Sequence, residues 1–340
     1  MLEQNLHRFL SAFAKAPKHA EATLYIRDNY YYVHVKNGYS SSLNVKLGYT
    51  TETSEIGRKI PKIKVNKDSY CGLSIDDFGY KIITQTNRVT TTTRLESCGD
   101  PIEPPAINTT ETETVFISPD FFDRAAKVAI AASNDSTKPI LKCVSVAYNR
   151  RGDYSVAATD GHRLAYISRL PEYDDNRSLI LAEDLKMLAL LSPGALLLKG
   201  NSISIGTEVD YCCHVGGTYP QYGDLIRPGK IGINLGSIKG LIQKLKTLDK
   251  KNKVTITVTD DTLDFTSGET VFSHMANNRC TQIGQTIVVN RDYLMDALTN
   301  CCGYFYYDNS KSPLIFAGVD INYLMMPIHQ VRMTCKPSTN

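Results

Sequence analysis

At 340 residues with 42% of them hydrophobic, the chain can bury several cores, which excludes a disordered protein and favours two or three domains over one. Its 38 Lys and Arg against 35 Asp and Glu leave a formal charge of +3, too small for whole-surface attraction to nucleic acid, so any such contact has to come from local clustering. No run of about 18 apolar residues occurs and the amphipathic opening MLEQNLHRFLSAFAKAPK has no long apolar core, so neither a membrane span nor a secretion signal is read and a cytosolic location is expected. The nine cysteines include the adjacent pairs Cys212-Cys213 and Cys301-Cys302 but no C-x-x-C, which fits reduced thiols better than a disulfide frame or a zinc knuckle. Without a secretion signal, the sequons at Asn108, Asn134 and Asn176 carry no weight.

The spacing of Leu6, Phe9, Leu10 and Phe13 predicts a first helix. Strands are expected over Glu21–Arg27, Tyr30–Lys36 and Ser40–Leu47, with turns at Asp28-Asn29 and Asn37-Gly38. Glu55–Asp68 contains Pro61 and alternating Ile63 and Val65, which favour strand over helix, and Lys81–Leu95 reads as a threonine-rich strand pair. Gly99–Thr112, with three prolines, is the best linker. Beyond it Ser118-Pro119-Asp120 opens a helix expected to run to about Ser133, with Phe121, Phe122, Ala125, Val128 and Ala132 on one face. Strands are predicted at about Leu141–Tyr148, Tyr154–Thr159 and Arg163–Ser168, a helix over Glu183–Leu191, and further strands to Val215.

The same order then recurs. A helix over about Leu235–Asp249 buries Ile238, Leu241, Ile242, Leu245 and Leu248, and strands follow at Lys253–Val258, Thr262–Thr266 and Val271–Met275. Asn290–Cys301 is a second helix, and three last strands end at Ile328. Two units of helix, strands, helix, strands point to an internal repeat of antiparallel α+β class. The expected domains are 1–113, 114–228 and 229–340, and the first has no visible second helix.

Two short segments carry the functional reading. Ala157–Ala165 (AATDGHRLA) is a strand end, a tight Asp160-Gly161 turn and a new strand. Tyr323–Ile328 (YLMMPI) is a terminal strand stopped by Pro327, which has no amide donor. With Lys138-Pro139-Ile140-Leu141 and Thr218-Tyr219-Pro220-Gln221-Tyr222 they lie in one order, and together they resemble the bacterial DNA polymerase III beta subunit, the sliding clamp family, over roughly Thr114 to Met333. The resemblance implies a clamp fold whose subunits form a ring, and a groove for partner peptides made by Leu141, Thr159, Gly161, His162, Arg163 and Leu164, by Pro220 and Leu225, and by Leu324, Met326, Pro327 and Ile328. Leucine and methionine suit such a groove because they repack around different apolar anchors. His162 and Arg163 are expected at its rim. After the Pro220 turn the family usually has an arginine where this chain has Gly223-Asp224, and this chain continues past the terminal strand as His329–Asn340.

What the resemblance implies for function is a homodimeric ring sliding on duplex DNA, tethering a DNA polymerase and other partners, loaded by a clamp loader, with no chemistry, metal or cofactor of its own. The candidates to face phosphates without reading bases are Arg8, Lys15, Arg124, Lys127, Lys186, Lys239, Lys244, Lys246 and Lys250, on or beside helices and away from their apolar stripes. A different class of reading makes Asp160 and His162 an acid–base pair, for which no nucleophile or orienting group is assignable. Cys212, Cys213 and His214 are adjacent on a strand and so point alternately to opposite faces, which argues against a shared metal. A clamp-like adaptor that keeps the groove without encircling DNA is the remaining alternative.

Overall fold

In the computed structural model the first predicted helix forms as α1 (Leu2–Phe13), and its stripe of Leu6, Phe9, Leu10 and Phe13 is buried, with the two phenylalanine rings stacked 5.5 Å apart. The residues described are 1–52, 57–86, 89–98, 115–117, 120–148, 154–167, 177–191, 196–199, 202–205, 209–227, 229–248, 253–278, 280, 282–301 and 303–328. Strands β1 (Glu21–Arg27), β2 (Tyr30–Asn37) and β3 (Ser41–Tyr49) follow. Asp28 and Asn29 both take positive φ, 49° and 61°, the left-handed pair that fits a two-residue turn to the twist of its strands. Next come β4 (Arg58–Ile60), β5 (Tyr70–Asp76), β6 (Gly79–Gln85), β7 (Thr90–Arg94) and β8 (Glu96–Ser97). Among the described residues no second helix occurs in this third; the strand expected within Glu55–Asp68 forms at β4, while residues 61–69 make an irregular strap that turns at Lys67-Asp68, and β5 was not foreseen.

After β9 (Val115–Ile117), the expected long helix is α2 (Phe121–Val128), tightening into a 3₁₀ turn over Ala129–Ala131. Pro139–Lys142 is a 3₁₀ turn, not the start of a strand, so β10 begins at Cys143 and runs to Tyr148. Then follow β11 (Tyr154–Thr159), β12 (Arg163–Ile167), β13 (Arg177–Leu181), α3 (Leu185–Leu191), β14 (Leu196–Lys199), β15 (Ser202–Ile205), β16 (Val209–Cys213) and β17 (Ile231–Asn234). Helix α4 (Ile238–Thr247) starts three residues later than expected because Gly236 sits at φ +60°, outside helical space, and Ser237 takes the cap position. The chain ends with β18 (Lys253–Val258), β19 (Thr262–Ser267), β20 (Thr270–Met275), β21 (Thr286–Asn290), α5 (Arg291–Asn300), β22 (Tyr304–Tyr307), β23 (Leu314–Phe316) and β24 (Asn322–Met325). The Asn290 side chain accepts from the Asp292 and Tyr293 amides and so starts α5.

The chain packs as two compact units, residues 1–157 with 168–219, and residues 158–167 with 220–340. The domain boundary expected at 113 lies outside the described residues. In the first unit a nine-stranded sheet runs β8-β4-β1-β2-β3-β16-β15-β14-β9, a three-stranded one β5-β6-β7, and β13, β10 and β11 pair in that order. Helix α3 packs against both α1 and α2. In the second unit the sheets are β20-β19-β18-β21 and β12-β24-β23-β22-β17, with α4 against α5.

A buried carboxylate ties the first unit together. Asp184, fully buried before α3, accepts from Asn37 Nδ2 at 2.9 Å, from Tyr211 OH at 3.1 Å and from Ser41 Oγ, so the β2–β3 turn, β16 and α3 meet at one side chain. Burial pushes its carboxyl up to about 6 against the pull of these three donors. A folded-state value above the ordinary 3.8 means stability that is complete below that value and lost as pH rises through about 6. Asp184→Asn is expected to remove a fall of about 3 kcal/mol in unfolding free energy across that window, read from urea titrations at a series of pH values.

Candidate functional site

The two motif segments come together in the second unit. β12 and β24 pair antiparallel, with Arg163 opposite Met325, Leu164 opposite Leu324 and Ala165 opposite Tyr323. The ladder extends one step past the strand, where the Met326 amide donates to the His162 carbonyl at 2.9 Å, and the Ile328 amide then donates to Val288 O at 2.7 Å. Alternation puts Leu164, Leu324 and Met326 on one face of the pair and Arg163, Tyr323 and Met325 on the other.

The turn between β11 and β12 satisfies its own amides. Gly161 takes φ +94°, and its amide donates to Thr159 Oγ1 at 3.0 Å; the same hydroxyl donates to the Arg163 carbonyl at 2.6 Å. The Asp160 carboxylate accepts from the His162 and Arg163 amides at 2.9 and 3.1 Å. Asp160 is thereby a structural anchor of the turn, and His162 is exposed beside it.

The expected position of Arg163 at the groove rim is corrected by the strand alternation. Its side chain, 11% exposed, lies on the face turned to α5, where Nε donates to Asp160 Oδ2 at 2.9 Å, Nη1 to Asp296 Oδ2 and, at 3.3 Å, to Tyr323 OH. The guanidinium stacks 4.3 Å over the Tyr293 ring. Burial pushes the Asp296 carboxyl above the ordinary carboxylate range, opposed by the charge of Arg163. Tyr293 and Asp296, which complete this clasp from α5, were not singled out in the sequence; their signal is the i,i+3 spacing that puts both on one helix face.

Of the other groove candidates, Leu164, Leu324, Pro327 and Thr159 are buried, Met326 and Ile328 are half-buried, and Gly161 is exposed. Pro220 and Leu225 belong to the same unit, on the connection that makes a 3₁₀ turn at Gly223–Leu225; Pro220 is exposed and Leu225 is 46% exposed. Leu141 belongs to the first unit, buried at the end of its 3₁₀ turn, its carbonyl accepting from the Ser133 amide at 2.8 Å. Of these candidates the apolar side chains left accessible in the second unit are therefore Met326, Ile328 and Leu225, with His162 as the polar neighbour of Met326 along the ladder.

The basic candidates fall on helix surfaces of both units. In the first, Lys15 just past α1, Lys127 on α2 and Lys186 on α3 are exposed and Arg8 on α1 is half-buried. Arg124 is engaged with Tyr154, donating to its hydroxyl at 3.1 Å. In the second, Lys239, Lys244 and Lys246 are exposed on α4, Lys244 lying 5.5 Å over the Phe272 ring; Lys250 lies outside the described residues. The strap adds Lys64 and Lys67, both exposed, which the alternating pattern K-I-K-V-N-K signals. Cys212 and Cys213 do point apart: Cys213 meets Cys143, Sγ to Sγ 3.9 Å, while Cys212 lies 3.8 Å from His214 Nδ1.

No protein-family model and no curated protein matches the sequence. Among solved structures the chain is similar to the DNA polymerase III beta subunit of Thermotoga maritima, with a TM-score of 0.77 and 15% identity over 96% of this chain and 98% of that one. The beta subunit from Pseudomonas aeruginosa gives 0.74 and 16% over the same shares. A Helicobacter pylori beta clamp bound to a DNA ligase peptide gives 0.70 and 17%, again over 96% and 98%. The fold is the α+β clamp fold. Within it, the chain's structural counterparts are bacterial DNA polymerase III beta subunits, and the likeness extends through the N-terminal third, where the sequence motifs are silent.

Because the Arg163 clasp fixes the turn, β24 and α5 to one another, Arg163→Ala is expected to lower unfolding free energy by about 3 kcal/mol by stranding two partly buried carboxylates. Asp296→Asn, which leaves the Asp160 pairing in place, should cost about 1 kcal/mol. Urea unfolding midpoints at constant m-value check both.

Proposed function

We propose that the chain is a DNA sliding clamp, a processivity factor that holds DNA by topology and tethers a polymerase and other partners through the groove beside β12 and β24. The observation that carries this reading is the in-register pairing of the DGHR turn with the terminal LMMP strand, within a fold shared over 96% of the chain with DNA polymerase III beta subunits. The accessible side chains of Met326, Ile328 and Leu225 suit the apolar anchor of an extended peptide, the class of ligand bound to the Helicobacter pylori clamp. Exposed lysines recurring on α2, α3 and α4 suit phosphates contacted without base readout.

Ring closure in this reading is head-to-tail, with the clamp divided into domains 1–113, 114–228 and 229–340. Edge strands that could serve it include β7 in the first unit and β20 in the second. β20 carries Val271 and Met275, 59% and 70% exposed, an apolar edge that a monomer would leave open to pairing. Loading would fall to an ATP-driven clamp loader acting in trans in the cytosol, and the chain itself would perform no chemistry. The absence of a second helix from the described part of the N-terminal third is the observation that favours the adaptor reading.

Light scattering should give a dimer, and Val271→Lys with Met275→Lys should give a monomer of unchanged circular dichroism. The protein should be retained on closed circular DNA and lost on linearisation; a stable monomer never retained on circles would move the function to the adaptor. Met326→Ala with Leu225→Ala should weaken binding of a clamp-binding peptide at least about tenfold, measured by fluorescence anisotropy, with thermal unfolding unchanged.

A further inference from the structure

We propose that the hollow between α1 and the strap 61–69 in the first unit binds a single unpaired nucleotide of DNA. The inference rests on the reading of α1 and α3 as DNA-facing and deepens it. The strap runs antiparallel to α1 and is tied to it at three levels. Lys62 Nζ donates to the Ala16 and Pro17 carbonyls, 2.9 and 2.5 Å away, just past the helix C-terminus. His7 Nε2 donates to the Asn66 carbonyl at 2.9 Å, and Tyr70 OH to Glu3 Oε1 at 2.6 Å near the helix start.

These ties hold the strap along the helix without closing it down. A hollow of about 490 Å³ remains, lined among others by His7, Arg8, Lys67, Tyr70 and, from α3, Leu190. That volume lies within the range of about 300–1,000 Å³ typical of small-molecule sites. Its chemistry is that of a single-strand binder: an aromatic ring, an exposed aliphatic side chain, and the cationic Arg8 and Lys67 against one carboxylate, Glu3, which is engaged by the Tyr70 hydroxyl. Tyr70 is 45% exposed and its hydroxyl is held by Glu3, so its ring is oriented as a fixed wall. A base within a duplex is stacked and paired and cannot enter; an unpaired one can lie against Tyr70 and Leu190 with its phosphate at Arg8 and Lys67. Lys186, one helical turn before Leu190 on α3, continues the positive surface beyond the hollow.

Fluorescence anisotropy at fixed low salt, with a labelled oligothymidylate and a labelled blunt duplex, tests this in the full chain. Tyr70→Ala is expected to weaken the oligothymidylate about five- to tenfold and leave the duplex unchanged. Tyr70→Phe, which keeps the ring and loses only the bond to Glu3, should stay close to the native affinity and guards against a folding defect. Arg8→Ala with Lys67→Ala should weaken both substrates. Equal losses on both DNAs for Tyr70→Ala, no loss on either, or no oligothymidylate binding by the native chain would overturn the proposal. Failure of retention on circular DNA would overturn the clamp reading instead.

Discussion

The pairing of β12 with β24 is the constraint on which the second unit depends. Residues 158–167 belong to that unit although the chain on either side of them belongs to the first, so the segment has to find its partner more than 150 residues further on. A one-residue slip of β12 against β24 would exchange the faces of β12, turning Leu164 toward α5 and Arg163 away from it. The clasp penalises that slip. Only in the observed register does the guanidinium meet Asp160, Asp296 and Tyr323 together, and a misplaced Arg163 would leave charges partly buried without partners. Hydrophobic alternation and a charge network thus specify the same arrangement, a consistency across levels expected where a surface has to be held in one shape.

The first unit uses a polar group for a similar purpose at a different scale. Asp184, at the approach to α3, gathers donors from the β2–β3 turn and β16, so α3 and the sheet are located against each other by a single buried carboxylate. Around it the packing is ordinary: β3 pairs with β16 through Val45 opposite Val209 and Leu43 opposite Tyr211, and the helices present their apolar stripes inward. Lysines remain on the outward sides, which is how a chain of nearly balanced charge can still present positive surfaces locally.

Much of this was legible in the residues. The strands β1, β11 and β18 fall at their expected bounds because short alternating runs end there at Asp28-Asn29, at the Thr159-Asp160-Gly161 turn and at Asp260. Helix α5 was readable from Asn290, whose side chain caps it. The misses have physical causes. β21 is five residues of Thr-Ile-Val-Val-Asn running straight into a helix cap, too short to separate from it by period alone. β5 mixes Gly72, Ser74 and Asp76 with few apolar positions, so its pairing with β6 supplies what its own pattern lacks. Arg163 was assigned to the wrong face because its partner Asp296 lies 133 residues away and nothing local reveals the pairing. The strand expected within Glu55–Asp68 forms at β4 but not over 61–69, and the hold of this strap on the chain just past α1 was invisible, since Lys62 reaching carbonyls 45 residues earlier is a tertiary event.

The self-contained DGH turn has a consequence for what an arriving chain can find there. The amides of Gly161, His162, Arg163 and Met326 already have acceptors at Thr159, Asp160 and His162, so a visitor cannot extend the ladder by borrowing them. If the chain is the clamp proposed above, adhesion at this spot would rest on the fit of side chains against Met326 and Ile328, an economy of shape that is indifferent to the visitor's backbone register. Unrelated chains sharing one greasy anchor would then compete for one seat as equals, and abundance and dwell time, more than sequence reading, would decide the occupant.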